Sequence, residues 1–444
     1  MSQRLYHEYV EGLPLIDYHN HLSISDIDGN RNFNDLTELW LLSDPYKHRA
    51  MRICGVDEKY ITGNSTNYEK FRAWCEIFPT LIGNPLYHWS TLELKRIFGI
   101  ILPINSDTAE EIWNTANKML HEPEFSAKGL LDRFNVEYSA PCAEITSDIS
   151  PFMSLAGVAP SLRGDDLLPV SVSLIRKLEK CTGVKIDTLN SLAKALSIRL
   201  DEFHNAGCRF SDHALDNGFC YVSDDGCNEK RFDKLLKNGF LDDPDMIHIN
   251  SAILRVLGGE YAKRNWVMQL HIGALRYTSS RLRQIVGPLG GFAGIGSCCV
   301  TYLTEMLNDI EKGELGLPRT VLFTLNPSDN AVLSVLSGSF CQNGVRGKVQ
   351  QGPAWWWCDH LYGMREVFES ISSYGVLSTF IGMTTDSRSL LSFVRHEYFR
   401  RAVCGWIGEK VEKGEFPDNF EELGRLVTAI CYGNAKNILT ESGL

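Results

Sequence analysis

Short apolar runs separated by long stretches with helical periodicity set the strongest limit on how this chain can fold. Runs at 13–18, 136–138, 168–172, 207–211, 266–271, 320–325, 348–350 and 376–382 are too short for typical helices and suit strands buried in a sheet. Several are joined by amphipathic helical segments. Parallel neighbours need crossovers of about a dozen residues or more, so this rhythm predicts an α/β chain with a parallel sheet. A length of 444 residues favours a distorted (β/α)₈ barrel, with a doubly wound open sheet as the alternative.

The stretch 35–135 breaks the rhythm. It holds helix-like blocks such as LTELWLLS, YEKFRAWCEIF and DTAEEIWNTANKML between Gly, Asn and Pro breaks. We expect a helical insertion over 35–135, packed on a barrel formed by 1–34 and 136–444.

Composition removes several classes of function. The formal charge of −11 and the lack of a Lys/Arg run oppose nucleic acid and anionic membrane partners. No apolar run approaches the roughly 18 residues of a membrane span, and no secretory signal core is visible. The 13 cysteines lack a paired C-x-x-C pattern and read as reduced thiols, many of them buried. The expectation is a cytoplasmic enzyme with a small anionic substrate, for which a homo-oligomer stays open.

In a barrel of this kind chemistry gathers at the carboxyl ends of strands, so polar residues just after apolar runs are the candidates. His19 and His21 follow 13–18, and their spacing puts both imidazoles on one side of an extended backbone, where they can grip one cation. A carboxylate from a distant strand end would complete the charge, and Asp386 is the preferred source. His271 ends 266–271; beside Arg276 it reads as a site residue more than a core one. Asp212-His213 is open between a carboxylate orienting an imidazole, a support behind the site, and a helix N-cap. Arg163, Arg276 and Arg388 lie near strand ends, where guanidinium groups suit a carboxylate. Trp355-Trp356-Trp357 reads equally as the floor of a sugar pocket or as core.

Other patterns fail. His396-Glu397-Tyr398-Phe399-Arg400 begins like a zinc-protease helix but has Arg where the second His is needed, so it reads as a solvated helix face. GGFAGIG does not fit the dinucleotide fingerprint, and neither a P-loop nor a G-x-S-x-G elbow is present.

The collinear series IDYHNHLS, DLTELWL, AMRICGVDEKYITG, IGNPLYHWSTLELKRIFGI, GLLDRFNVE, GCRFSDHAL, MQLHIGALR, AWWW, GMTTDSRSLLSFVRHEYFRR and YGNAKNIL resembles the uronate isomerases of the amidohydrolase superfamily over most of the chain. The resemblance implies a barrel of the metal-dependent hydrolase type with a helical insertion after its first strand. It also implies interconversion of D-glucuronate with D-fructuronate and of D-galacturonate with D-tagaturonate. One divalent metal, zinc by preference, would sit at His19, His21 and Asp386. Tyr46, Asp386 and His271 would carry catalysis, and Arg388, Arg163, Arg276, Asp212 and Trp356 or a neighbouring Trp would bind substrate. Pro45 stands where the family's histidine is expected before Tyr46. Gly164 replaces the proline of an Arg-Pro-Asp pattern, and Tyr277, Thr278 and Ser279 replace expected asparagines.

That reaction moves a proton from C2 to C1 through an enediol, which needs a base, a stabilised oxyanion and a returning acid. Two competing readings use the same barrel: a metal-dependent hydrolase of a sugar-acid lactone, ester or amide, and a non-catalytic uronate binder.

Overall fold

A ring of parallel strands organises the molecule, and the computed structural model describes residues 1–287 and 290–443. The strands are β1 (Leu15–Asn20), β2 (Val136–Glu144), β3 (Ser161–Arg163), β4 (Phe210–Leu215), β5 (Val267–Ile272), β6 (Ala274–Leu275), β7 (Gly294–Ile295), β8 (Arg319–Thr324) and β9 (Val349–Gln351). Seven pair in parallel in the order β1-β2-β3-β4-β5-β8-β9, while β6 and β7 form a separate antiparallel pair.

The eighth position has no regular strand. The segment after the turn Leu377–Thr379 is stitched to its neighbours by single bonds. Ile381 N–H donates to Gln350 Oε1 at 2.8 Å, Tyr18 hydroxyl to Gly382 O at 2.8 Å, Asp386 N–H to His19 O at 3.1 Å and His21 N–H to Ser387 O at 2.8 Å. These close the sheet into a distorted (β/α)₈ barrel.

Two of the expected strands are corrected. Run 168–172 is not a strand: Pro169 has no N–H for a ladder, and the third strand is the earlier Ser161–Arg163. Run 376–382 contains the short turn Leu377–Thr379 and then irregular backbone, with Val376 exposed rather than buried. Polar Thr384 and Thr385 follow, and side-chain bonds replace a ladder there.

Alternation along the strands divides the apolar residues into two cores. Tyr18, Tyr138, Phe210, Val267, Val321 and Phe323 share the cluster that fills the barrel, while Leu162, Met268, Leu270 and Leu322 pack toward the surrounding helices. In β1 the register advances from Asp17 opposite Ser139 to Asn20 opposite Pro141, one residue more than its partner strand. Such a bulge re-aims side chains. Tyr18 therefore stacks on Phe210, and the next residue, His19, still meets the inward-facing His271 ring at 4.7 Å.

Between β1 and β2 lie the helices Leu36–Trp40, Pro45–Ile53, Asn67–Ile77, Pro85–Phe98, Ala109–Leu120 and Ala127–Arg133. Pro45–Ile53 starts well: Asp44 caps the N–H groups of Tyr46 and Lys47, and Pro45 occupies the first turn, where its missing N–H costs nothing. Arg96 on Pro85–Phe98 pairs with Glu397 on the helix Val394–Glu412 at 2.7 Å. That last helix is not a solvated face at His396, which is buried against Asp17; it is wrapped on several sides by barrel and helices. Among the described residues no helix is long and apolar enough to cross a membrane. The described cysteines are all free thiols, and Cys75, Cys208, Cys358 and Cys404 are buried.

Candidate active site

At the carboxyl end of the barrel, Asp386 Oδ1 lies 3.2 Å from His19 Nε2 and 3.0 Å from His21 Nε2. All of these groups are buried or nearly so. Burial alone would raise the Asp386 pKa, but bonds to both imidazoles hold it well below the usual carboxylate range. Burial opposes charge on His19, yet Cys142, Asp212 and Asp386 around it hold its pKa well above the ordinary imidazole value. His21 goes the other way, driven down to about 4 by burial despite its bond to Asp386. Asp386 itself has φ 49°, a left-handed conformation that Asp tolerates better than most residues.

Asp212 and His271 form a second layer against this trio. Asp212 is a strand residue, which removes the helix-cap reading; it faces inward, 3.7 Å from His19 Nδ1 and 3.8 Å from His271 Nδ1. Burial lifts its pKa to about 6. His213, one residue on, points outward by alternation and bonds Tyr261 hydroxyl at 2.9 Å. It does not pair with Asp212. His271 is held neutral by burial, stacks on Trp355 at 4.5 Å, and its Nε2 has no partner among the described residues.

Arg163 ends β3, with one guanidinium nitrogen 3.3 Å from His21 Nδ1 and another bonded to Asp165 at 2.8 Å. Arg276 pairs with Asp216 at 2.7 Å and lies 5.3 Å from the Trp356 ring. Tyr46, Arg276, Trp356 and Arg388 line one cavity of about 50 Å³. Arg388 also borders an adjoining cavity of about 270 Å³ that His21 lines. Tyr46 hydroxyl is buried without a partner among the described residues, its ring edge-on to Trp357 at 5.5 Å. The excursion between β5 and β8 roofs the first cavity, with Arg49 and Trp357 bonded to Ala293 O.

Sequence reasoning thus named residues that converge, but it missed several. Trp355, not Trp356, donates its indole N–H to Asp386 Oδ2 at 3.0 Å. Cys142 Sγ sits 3.5 Å from both His19 Nδ1 and Asp212 Oδ1; it follows the apolar start of β2, so the strand-end rule had the signal. Two groups, the partly buried His19/His21/Cys142 and the fully buried His19/Asp212/His271, each have ligand atoms within 4.8 Å of one another, close enough to share a metal ion.

A family model for glucuronate isomerase matches residues 1–439. The chain belongs to that family. It is 41% identical to the uronate isomerase of Caldanaerobacter subterraneus subsp. tengcongensis, a match covering 98% of this chain and 96% of the relative. The structure of a uronate isomerase from Thermotoga maritima superposes with a TM-score of 0.91 at 32% identity, covering 99% of this chain and 97% of that one. A glucuronate isomerase from Caulobacter crescentus, 22% identical, shares the fold with a TM-score of 0.89 over 99% of this chain and 94% of its own.

Membership of the glucuronate isomerase family makes the chain an isomerase, and the hydrolase and non-catalytic readings are not favoured. One departure from the family pattern has a local reason. Gly164 lies directly over the His213 ring, which a Cβ would overlap, so no larger residue fits while His213 is present. The Pro45 carbonyl leaves no room for a Cβ at Gly291, which explains the glycine; nothing in the structure explains the proline.

Proposed function

We propose that this chain interconverts a hexuronate aldose, D-glucuronate or D-galacturonate, with its 2-ketose by moving a proton from C2 to C1 through an enediol. The observation that carries this reading is the convergence of Asp386 with His19 and His21, beside a cavity bordered by Arg388. Residues 35–135 act as an insertion on the barrel of 1–34 and 136–444 and contribute Tyr46.

His19, His21 and Asp386 would hold one divalent ion, zinc by preference. A carboxylate oxygen 3.2 Å from one imidazole nitrogen and 3.0 Å from another suits a borderline cation. When bound, such an ion supplies positive charge to a sugar oxygen that gains negative charge.

Asp386, which accepts Trp355 N–H on Oδ2, takes the C2 proton and returns it to C1. That role requires a loose contact with the ion, because a tightly held carboxylate is too weak a base. Tyr46 hydroxyl donates to the oxygen that becomes the enediolate. His271, neutral and with no partner on Nε2 among the described residues, handles the proton exchanged between the O1 and O2 hydroxyls. Arg388 binds the C6 carboxylate: Arg163 and Arg276 already pair with Asp165 and Asp216, whereas Arg388 has no carboxylate partner among the described residues. Arg163 and Arg276 fix the site around it, with Asp212 and Trp356 contacting the sugar.

The test is Asp386→Asn, which keeps the size of the side chain and tolerates positive φ. We expect turnover to fall by about 10²–10⁴-fold, the usual worth of a positioned acid–base group, with thermal stability retained. Near-normal turnover would remove Asp386 from the proton-transfer role.

A further inference from the structure

His19 has two ring nitrogens, and each faces a different set of donors. Nε2 faces Asp386, the set used above. Nδ1 faces Cys142 Sγ at 3.5 Å and Asp212 Oδ1 at 3.7 Å, and those two atoms are themselves 3.5 Å apart. The three atoms form a nearly equilateral triangle. Ligands around a tetrahedral ion with bonds of about 2.0–2.3 Å stand roughly 3.3–3.7 Å from one another, so the triangle already has the edge lengths of one face of such a site. His271 Nδ1, 3.8 Å from the other Asp212 oxygen, lies next to that face.

We propose that Cys142, Asp212 and the Nδ1 edge of His19, closed by His271, form an inner site for a thiophilic divalent cation such as Zn²⁺ or Co²⁺, distinct from the set that includes His21 and Asp386. One thiolate and one carboxylate neutralise the ion, and imidazoles complete a sulfur, nitrogen and oxygen set that favours zinc-like ions over Mg²⁺ or Ca²⁺. The thiol proton passes to solvent as the metal–sulfur bond forms, and when the other set is filled as well the remaining ring proton of His19 leaves with it, so that the imidazolate bridges the two ions. Occupation ties up Asp212 and His271, so a cation in the inner site competes with the sugar for these two side chains.

Cobalt decides the matter without any assay of turnover. Metal-stripped protein titrated with Co²⁺ should develop an intense near-ultraviolet thiolate-to-cobalt charge-transfer band. Cys142→Ser should lose that band while keeping the weak visible absorption of cobalt at His19, His21 and Asp386. On the unaltered chain, Zn²⁺ should slow alkylation of Cys142 by iodoacetamide, read by peptide mass mapping. Cobalt bound with no thiolate band, a band that survives in Cys142→Ser, or Cys142 alkylation unchanged by Zn²⁺ would each overturn the inner site. None of these outcomes touches the assignment of Asp386 to proton transfer, which fails only on its own variant.

Discussion

Asp17 accepts a hydrogen bond from the backbone N–H of Thr385 at 2.6 Å and another from its hydroxyl at 2.7 Å, and so holds the residue next to Asp386 in place. Asp17 also accepts from Thr384 hydroxyl at 2.9 Å. Arg395 grips the same segment from the other side through Thr385 O at 2.6 Å. The eighth barrel position has no regular ladder, and these two buried side chains reinforce its few backbone bonds to β1.

Removing Asp17 should therefore damage the site without touching it. Asp17→Ala strands the buried donors of Asn20, Thr384 and Thr385, a loss on the order of 3 kcal/mol or more. Thermal melts should show the destabilisation. Turnover of the folded fraction should fall as well, since Asp386 loses its anchor; a variant as stable and active as the parent would contradict this arrangement.

Arg388 should govern substrate affinity more than chemistry. Loss of a charge-assisted contact to a carboxylate costs about 1.5–3 kcal/mol, so Arg388→Ala should lower kcat/KM roughly 10–100-fold, chiefly through KM. Steady-state kinetics on a uronate checks it. An unchanged KM would point to Arg163 or Arg276 instead.

Gly164 and His213 form a complementary pair. Gly164 has an ordinary negative φ of −97°, so Gly164→Ala introduces no backbone strain, only overlap with the His213 ring. Overpacking of this kind costs about 1–3 kcal/mol. The melting temperature should drop in the single variant and recover in part when His213→Ala is added; additive losses would contradict the pairing.

Acid should loosen the contact between the helix Pro85–Phe98 and the barrel. Burial opposes the Glu397 charge, but hydrogen bonds from Arg96 and Arg401 win and hold its pKa below the ordinary glutamate value. A carboxylate with a lowered folded pKa contributes stability above its unfolded pKa of about 4.3 and loses it as pH falls through the folded value. Melting temperatures of the parent and Glu397→Gln should differ at neutral pH and converge below about pH 4. A gap that persists in acid would exclude this origin.

How much was legible depended on whether a residue's role was local. β1, β5 and β8 announce themselves because each carries apolar residues in close succession, and His19 and His271 sit where such runs end. β3 was missed because Ser161–Arg163 is three residues long and carries a single core side chain, Leu162. The eighth position was misread because its order comes from Asp17 and Arg395, which lie far from it or outside it in sequence. Trp355 was obscured by two neighbours of the same type, and only geometry separates the indole that reaches Asp386 from the one beside Arg276. His396 reads as surface in sequence because its partner, Asp17, lies at the opposite end of the chain.

The most direct test follows D-glucuronate and D-galacturonate by NMR in D₂O with the purified protein carrying one equivalent of zinc. Ketose signals should appear from at least one of the two, with solvent deuterium entering the product at C1 as Asp386 exchanges its proton. Sugar that stays unconverted, with the protein folded and metal bound, would contradict it.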